Sequence, residues 1–101
     1  MGVNLHNLAD VRAGLGYPDE AEALYGRALA AKSRLLGPNH PQVGLTLNNL
    51  VVLVADRGDL ARAAELADRA QMVLAAAVAT DHPALVAANT TLAAISATRR
   101  G

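Results

Sequence analysis

The feature that most constrains this chain is a self-similarity at an offset of about 42 residues. Leu5, Asn7 and Leu8 fall on Leu47, Asn49 and Leu50. In the same register Gly16 falls on Gly58, Ala21 on Ala63, Leu24 on Leu66, Arg27-Ala28 on Arg69-Ala70, and His40-Pro41 on His82-Pro83. A third copy begins, with Leu50 on Leu92, Ala55 on Ala97 and Arg57 on Arg99. A period of this size marks a solenoid, in which one supersecondary unit cannot bury its apolar face alone and stacked neighbours supply the core. The spacing predicts a single domain over 1–101, with repeat 1 at about 1–40, repeat 2 at about 41–82 and a partial repeat 3 at about 83–101.

Each copy reads as two helices. Val43, Leu47, Leu50, Val51 and Val54 recur at three- and four-residue steps, which is one helical face. Gly58 ends that helix and Asp59 caps the next, whose buried stripe is predicted as Leu60, Ala63, Ala67, Ala70, Val73, Leu74 and Ala77. In the first copy Gly16 is the stop, Pro18 takes a first-turn position, and Asp19 and Glu20 complement the positive end of the helix dipole. Ala21, Leu24, Ala28, Ala31 and Leu35 form the predicted stripe.

The stretch between the copies, Leu36-Gly37-Pro38-Asn39-His40-Pro41, is then a corner. Gly37 terminates one helix, Pro38 prevents its continuation, and Pro41 opens the next at its first position. In the second copy the corner has changed to Ala79-Thr80-Asp81-His82-Pro83, where Asp81 or His82 must supply the cap. A first helix of the third copy is expected from about Pro83 to Thr98.

Composition agrees with an all-α class. Hydrophobic residues make up 52%, with only two aromatics, both Tyr, so the core is built from Ala, Leu and Val. Alanine is the strongest helix former. Nine basic and nine acidic residues give no net charge, and the one basic cluster is Arg99-Arg100, which argues against a nucleic-acid surface. The absence of cysteine excludes disulfide scaffolds, thiolate metal sites and cysteine nucleophiles. The longest apolar run, Met72 to Ala79, is about half a membrane span, and Met1 to Asn4 lacks the pattern of a signal peptide. A cytoplasmic location without membrane contact is the expectation. The preference for Arg over Lys, with abundant Ala, Gly and Val, suggests a GC-rich bacterial genome.

Catalysis finds no support. Two of the three histidines, His40 and His82, recur beside prolines at the corner, and His6 has no metal-binding spacing around it. Ser33 and Ser96 have no nucleophile elbow, and Gly14 and Gly16 do not continue into a phosphate loop. No cofactor or metal is expected. Asp59, Arg62, Glu65 and Arg69 lie at helical steps and predict a ladder of weak ion pairs on a solvated face.

The stretches LHNLADVRAGLGYPDEAEALYGRAL and LLGPNHPQVGLTLNNL resemble the tetratricopeptide repeat of the kinesin light chain type. The first copy matches that pattern at Gly16, Ala21, Glu22, Leu24, Tyr25, Arg27, Ala28 and Leu29, and the corner matches at Leu36, Gly37, Pro38, His40 and Pro41. Arg12 stands where the family usually has Tyr, Tyr25 becomes Ala67 in the second copy, and Asn49 becomes Thr91 in the third. The resemblance implies a right-handed solenoid of about two and a half repeats and five helices. It also implies a protein–protein interaction module, with first helices lining a concave groove and second helices forming the back.

On that pattern Asn7 and Asn49 project into the groove as peptide-binding residues. Their amides could bind the backbone of an extended peptide whatever its sequence, since each offers donors and an acceptor. His6, Asp10, Asn48, Val52 and Asp56 would sit beside them, with Thr90, Thr91 and Ala94 from the third copy. The resemblance also argues against a clamp for acidic C-termini, because Val3, His6, Asn7, Leu45, Asn48 and Asn49 occupy its positions without a basic residue. Two further readings stand beside a peptide-binding adaptor. The half repeat at the end could make the chain part of a larger bacterial regulator, such as the helical tails linked to nucleotide-switch proteins. Bare solenoid ends could instead associate with each other as a homo-oligomer.

Overall fold

The computed structural model describes residues 3–78 and 81–100, and the side chains of 5–78 and 81–98. Met1, Gly2, the Ala79-Thr80 part of the second corner and the side chains of Arg99 and Arg100 lie outside the described residues. Five α-helices follow one another: α1 (Val3–Gly14), α2 (Pro18–Leu36), α3 (Pro41–Asp56), α4 (Leu60–Ala77) and α5 (Pro83–Arg100). No strand occurs among the described residues. The architecture is the all-α solenoid that the period and the Ala-rich composition predict.

The punctuation follows local chemistry. Gly16 and Gly58, one period apart, have φ of 87° and 90°, a left-handed conformation that a side chain would strain. Each turns the chain back, so that α1 lies on α2 and α3 on α4. Asp59 accepts a hydrogen bond from the Arg62 N–H at 3.2 Å and caps α4.

The corners show why His precedes Pro. Pro41 has no N–H, so the first donor at the start of α3 that a cap can satisfy is that of Gln42. His40 Nδ1 accepts it at 3.1 Å. One period later His82 Nδ1 accepts from the Ala84 N–H, also at 3.1 Å. Of the two candidates at the second corner, His82 is therefore the cap.

Helix α3 is the centre of the packing. It touches each of the other four helices, and α1, α3 and α5 meet along one side. Its predicted face, Val43, Leu47, Leu50, Val51 and Val54, is buried. Across from it Ala63, Ala67 and Ala70 of α4 are equally buried, and these small residues let the two helices approach closely. Tyr25 of α2 belongs to the same core, with Ala9, Ala21 and Leu50.

Three expectations about surfaces are corrected. Leu35 is not part of the buried stripe of α2; it is 76% exposed. Ala77 at the end of α4 is exposed as well. Leu35 lines an open groove, and Ala77 is the last residue of its helix. The ion pairs, too, run between helices rather than along α4. Arg62 pairs with Glu22 of α2 at 2.6 Å, and Arg57 reaches Glu22 and Asp19. Glu22 is closer to both arginines than any carboxylate that α4 presents among the described residues, because α2 crosses beside the α3–α4 turn.

Candidate interaction groove

An open groove of about 770 Å³ runs across α1, α3 and α5. His6 and Asn7 of α1, Asn48, Asn49 and Val52 of α3, and Thr91 of α5 all line it. These sit one period apart (Asn7, Asn49, Thr91), so the stacking of first helices puts them side by side. Asp10 is exposed beside the groove, bonded to the groove residue Asn49 without lining the groove itself. Asp56, the last residue of α3, is exposed and outside the groove, as are Thr90 and Ala94.

The wall that the sequence did not reveal comes from a second helix. The last turns of α2 bring Ala31, Lys32, Leu35 and Leu36 to the groove, opposite Leu45 and Val52. Leu35 and Leu36 are neighbours in the chain, about 100° apart around the helix, and cannot both join one narrow stripe. Such a pair at the end of a helix was the available signal. The wall gives the groove an apolar lining between its asparagines. Lys32, the one lysine of the chain, adds an ammonium group that the first-helix positions lack.

Under the polar edge runs a hydrogen-bonded cluster. Thr46 has no exposed surface, and its hydroxyl donates to the Gln42 carbonyl at 3.1 Å. The same oxygen receives Lys32 Nζ at 3.0 Å and lies 2.8 Å from His6 Nδ1. His6 Nε2 is 2.8 Å from Asn49 Nδ2, which also donates to Asp10 Oδ1 at 3.0 Å. The Tyr25 hydroxyl donates to the same Asp10 oxygen, and the Tyr25 ring meets the His6 ring edge-on, with centroids 5.8 Å apart. Asn48 Nδ2 donates to the Ala84 carbonyl at 3.2 Å, tying α3 to α5.

Burial shapes the acid–base behaviour of this cluster. Desolvation lowers the His6 pKa below 6.5; Asp10 opposes the shift and Lys32 adds to it. Lys32 is lowered by desolvation against the attraction of Asp10. The Tyr25 phenol is raised well above its ordinary range by burial, then by its bond to Asp10 and by the charge there, with Asn49 opposing. At neutral pH the cluster therefore holds a neutral imidazole and a neutral phenol.

Residues 1–76 match the family model described as Tetratricopeptide repeat. The chain belongs to the tetratricopeptide repeat family. No curated protein matches the sequence. Tetratricopeptide repeats are generally protein–protein interaction modules on a non-catalytic scaffold, which agrees with a groove whose polar groups are mostly carboxamides. No helix among the described residues is long and apolar enough to cross a membrane.

Two asparagines of this tetratricopeptide repeat differ from the simple picture of free amides. Asn49 Nδ2 donates to Asp10 and also lies against His6 Nε2, so the amide nitrogen is engaged inside the protein. Asn48 has one amide hydrogen committed to Ala84. Asn7 is exposed on the groove. The recurring amide is thus partly a bond between helices, and what it offers a ligand depends on its neighbours.

Proposed function

We propose that this tetratricopeptide repeat, of the kinesin light chain type, binds an extended peptide segment of a partner protein along the groove, with repeats at about 1–40, 41–82 and 83–101. The carrying observation is the pairing of an apolar lining, Leu35, Leu45 and Val52, with the amide groups of Asn7 on α1 and Asn48 and Asn49 on α3 in one groove. Amides from two neighbouring first helices suit the main chain of an extended peptide, and the apolar lining suits its side chains. The module works without cofactor or catalysis in this reading, and its expected setting is the bacterial cytoplasm.

The test is selection from a displayed random-peptide library on the 101-residue chain. Enriched peptides should lose binding to Val52→Asp, which puts a charge in the groove lining, and keep binding to Met72→Asp on the back. Val52 and Met72 are comparably exposed, at 51% and 69%, so both variants should fold. Peptides that bind Val52→Asp as well as wild type would sink the reading.

A second reading, docking to a neighbouring repeat array or a second chain, is favoured by one observation. Helix α1 exposes Leu8 and Val11, and Leu15 just past its end is exposed as well. Light scattering across a wide concentration range tests it: a mass rising with concentration supports association, and a constant monomer mass opposes self-association.

A further inference from the structure

The first helix of the repeat occurs three times, in three different surroundings. Helix α3 packs on a preceding repeat and on its own second helix. Among the described residues α5 has a preceding repeat but no second helix, and α1 has a second helix but no preceding repeat. A position covered in α3 and α5 but bare in α1 is therefore one that a preceding repeat covers. Two positions meet that condition. Leu50 is 2% exposed and Leu53 is buried, and their equivalents in α5, Leu92 and Ile95, are partly and fully buried. One period earlier Leu8 is 41% exposed, and Val11 is exposed as well. Helix α1 thus keeps the apolar residues of an inner joint on an open face.

The other end of the solenoid has lost this chemistry. In α3 the buried residues Leu47, Val51 and Val54 share core clusters with Ala63, Ala67 and Ala70 of α4. Their equivalents in α5 are Asn89, Ala93 and Ser96, polar or small side chains in place of branched ones. Val86 is the one large apolar side chain that α5 exposes among the described residues. A second copy therefore finds an apolar stripe at the α1 end and none at the α5 end, which disfavours open-ended, head-to-tail stacking.

Leu15 distinguishes the kind of surface that fits α1. Its equivalent in the second copy is Arg57, which pairs with Glu22 and Asp19 of the preceding α2. At the inner joint this position makes an ionic contact with the helix before it. Leu15 cannot do so; its N–H bonds to the Val11 carbonyl at 3.0 Å, and it extends the stripe of Leu8 and Val11 by one more turn. The stripe calls for an apolar partner along its whole length. No other helix of the described residues exposes three large apolar side chains at such steps. The two acid and base side chains of α1 are already partnered within the chain, Asp10 by Tyr25 and Asn49, and Arg12 by Glu20 at 3.7 Å.

We infer that the stripe of Leu8, Val11 and Leu15 docks against the same stripe of a second copy, in a closed two-fold dimer. The inference rests on the reading that α1 docks to a further chain, and it fixes the partner and the symmetry. Pairing identical stripes takes all six side chains out of water, which is the driving force. The stripe is only about 10 Å long, so the interface is small and the dimer exchanges with monomer as the concentration changes.

The experiment is light scattering on the 101-residue chain from micromolar to millimolar concentration, with the variants Val11→Glu, Leu15→Arg and Val52→Asp alongside. Val11 and Leu15 are exposed, so their variants should fold, and matching circular dichroism spectra check this. The wild-type mass should rise and level off at twice the monomer. Val11→Glu and Leu15→Arg should stay monomeric over the same range, and Val52→Asp in the groove should dimerise as wild type does. A mass that climbs past the dimer without levelling, and falls to monomer in Val11→Glu, would leave docking through α1 standing and overturn the two-fold pairing. Loss of the dimer in Val52→Asp as well would place α1 of one copy in the groove of the next, and would overturn it too. A dimer that survives Val11→Glu and Leu15→Arg, or a wild type that is monomeric throughout, would remove the inference together with self-association through α1.

Discussion

Gly44 and Leu74 meet where α3 crosses α4: a Cβ placed on Gly44 would lie 2.6 Å from Leu74 Cγ. Leu74 is fully buried and packs against Ala84, Leu85 and Ala88, so its branch point has nowhere to retreat. The glycine lets the two helices, and α5 behind them, close on one another.

Gly44→Ala should therefore destabilise the protein even though alanine is the better helix former. Overpacking of this kind costs about 1–3 kcal/mol. The helix-propensity gain of up to about 1 kcal/mol offsets part of it. Gly26→Ala is the control, since nothing lies within 4 Å of a Cβ there. Thermal melts should show Gly44→Ala below wild type and Gly26→Ala above it. Equal shifts in the same direction would contradict the close approach.

Tyr25→Phe should destabilise by about 1–2 kcal/mol, because it removes a hydrogen bond to a charged acceptor while leaving the ring in place. Asp10→Asn should weaken the same bond, and the double variant should lose less than the sum of the single losses. Urea denaturation of the four proteins measures the coupling. Strict additivity would mean that the two groups do not interact.

Stability should fall on mild acidification. An unfolded His6 titrates near 6.5, and the folded one lower. Below about 6.5 the unfolded chain consequently binds more protons, and stability declines as pH falls toward the folded pKa; above 6.5 this contribution is complete and flat. Melting temperatures of wild type and His6→Gln, compared between about pH 8 and pH 5, should show the smaller acid loss in the variant. An identical pH dependence would exclude His6 as a contributor.

Glu22→Gln should lower the melting temperature at low ionic strength only. Glu22 joins Arg57 and Arg62 and so ties α2 to the turn between α3 and α4. All three side chains are partly exposed, and at about 1 M salt the screening length is about 3 Å, so the difference should nearly disappear there. A difference that survives high salt would point to packing rather than charge.

What the sequence determined by itself were the local decisions. Gly16, Gly58, Asp59 and the two His-Pro corners set the helix ends, because each acts within three or four residues of itself. The apolar face of α3 was legible for a related reason: a helix has one period, and Val43, Leu47, Leu50, Val51 and Val54 obey it. The repeat offset also put His6, Asn7, Asn48, Asn49, Val52 and Thr91 on neighbouring first helices.

Contacts between residues far apart in the chain were decided only by the tertiary structure. Leu35 and Leu36 become a groove wall because the packing of α2 on α3 brings its last turns to the groove that the first helices line. Glu22 meets Arg57 and Arg62 because of how α2 crosses the next turn, and no spacing along α4 encodes that. Asn49 was readable as a groove residue, but not as one whose amide nitrogen is held by Asp10 and His6. Helical periodicity says which way a side chain points; which partner it finds depends on the crossing of helices, and that is a property of the whole packed fold.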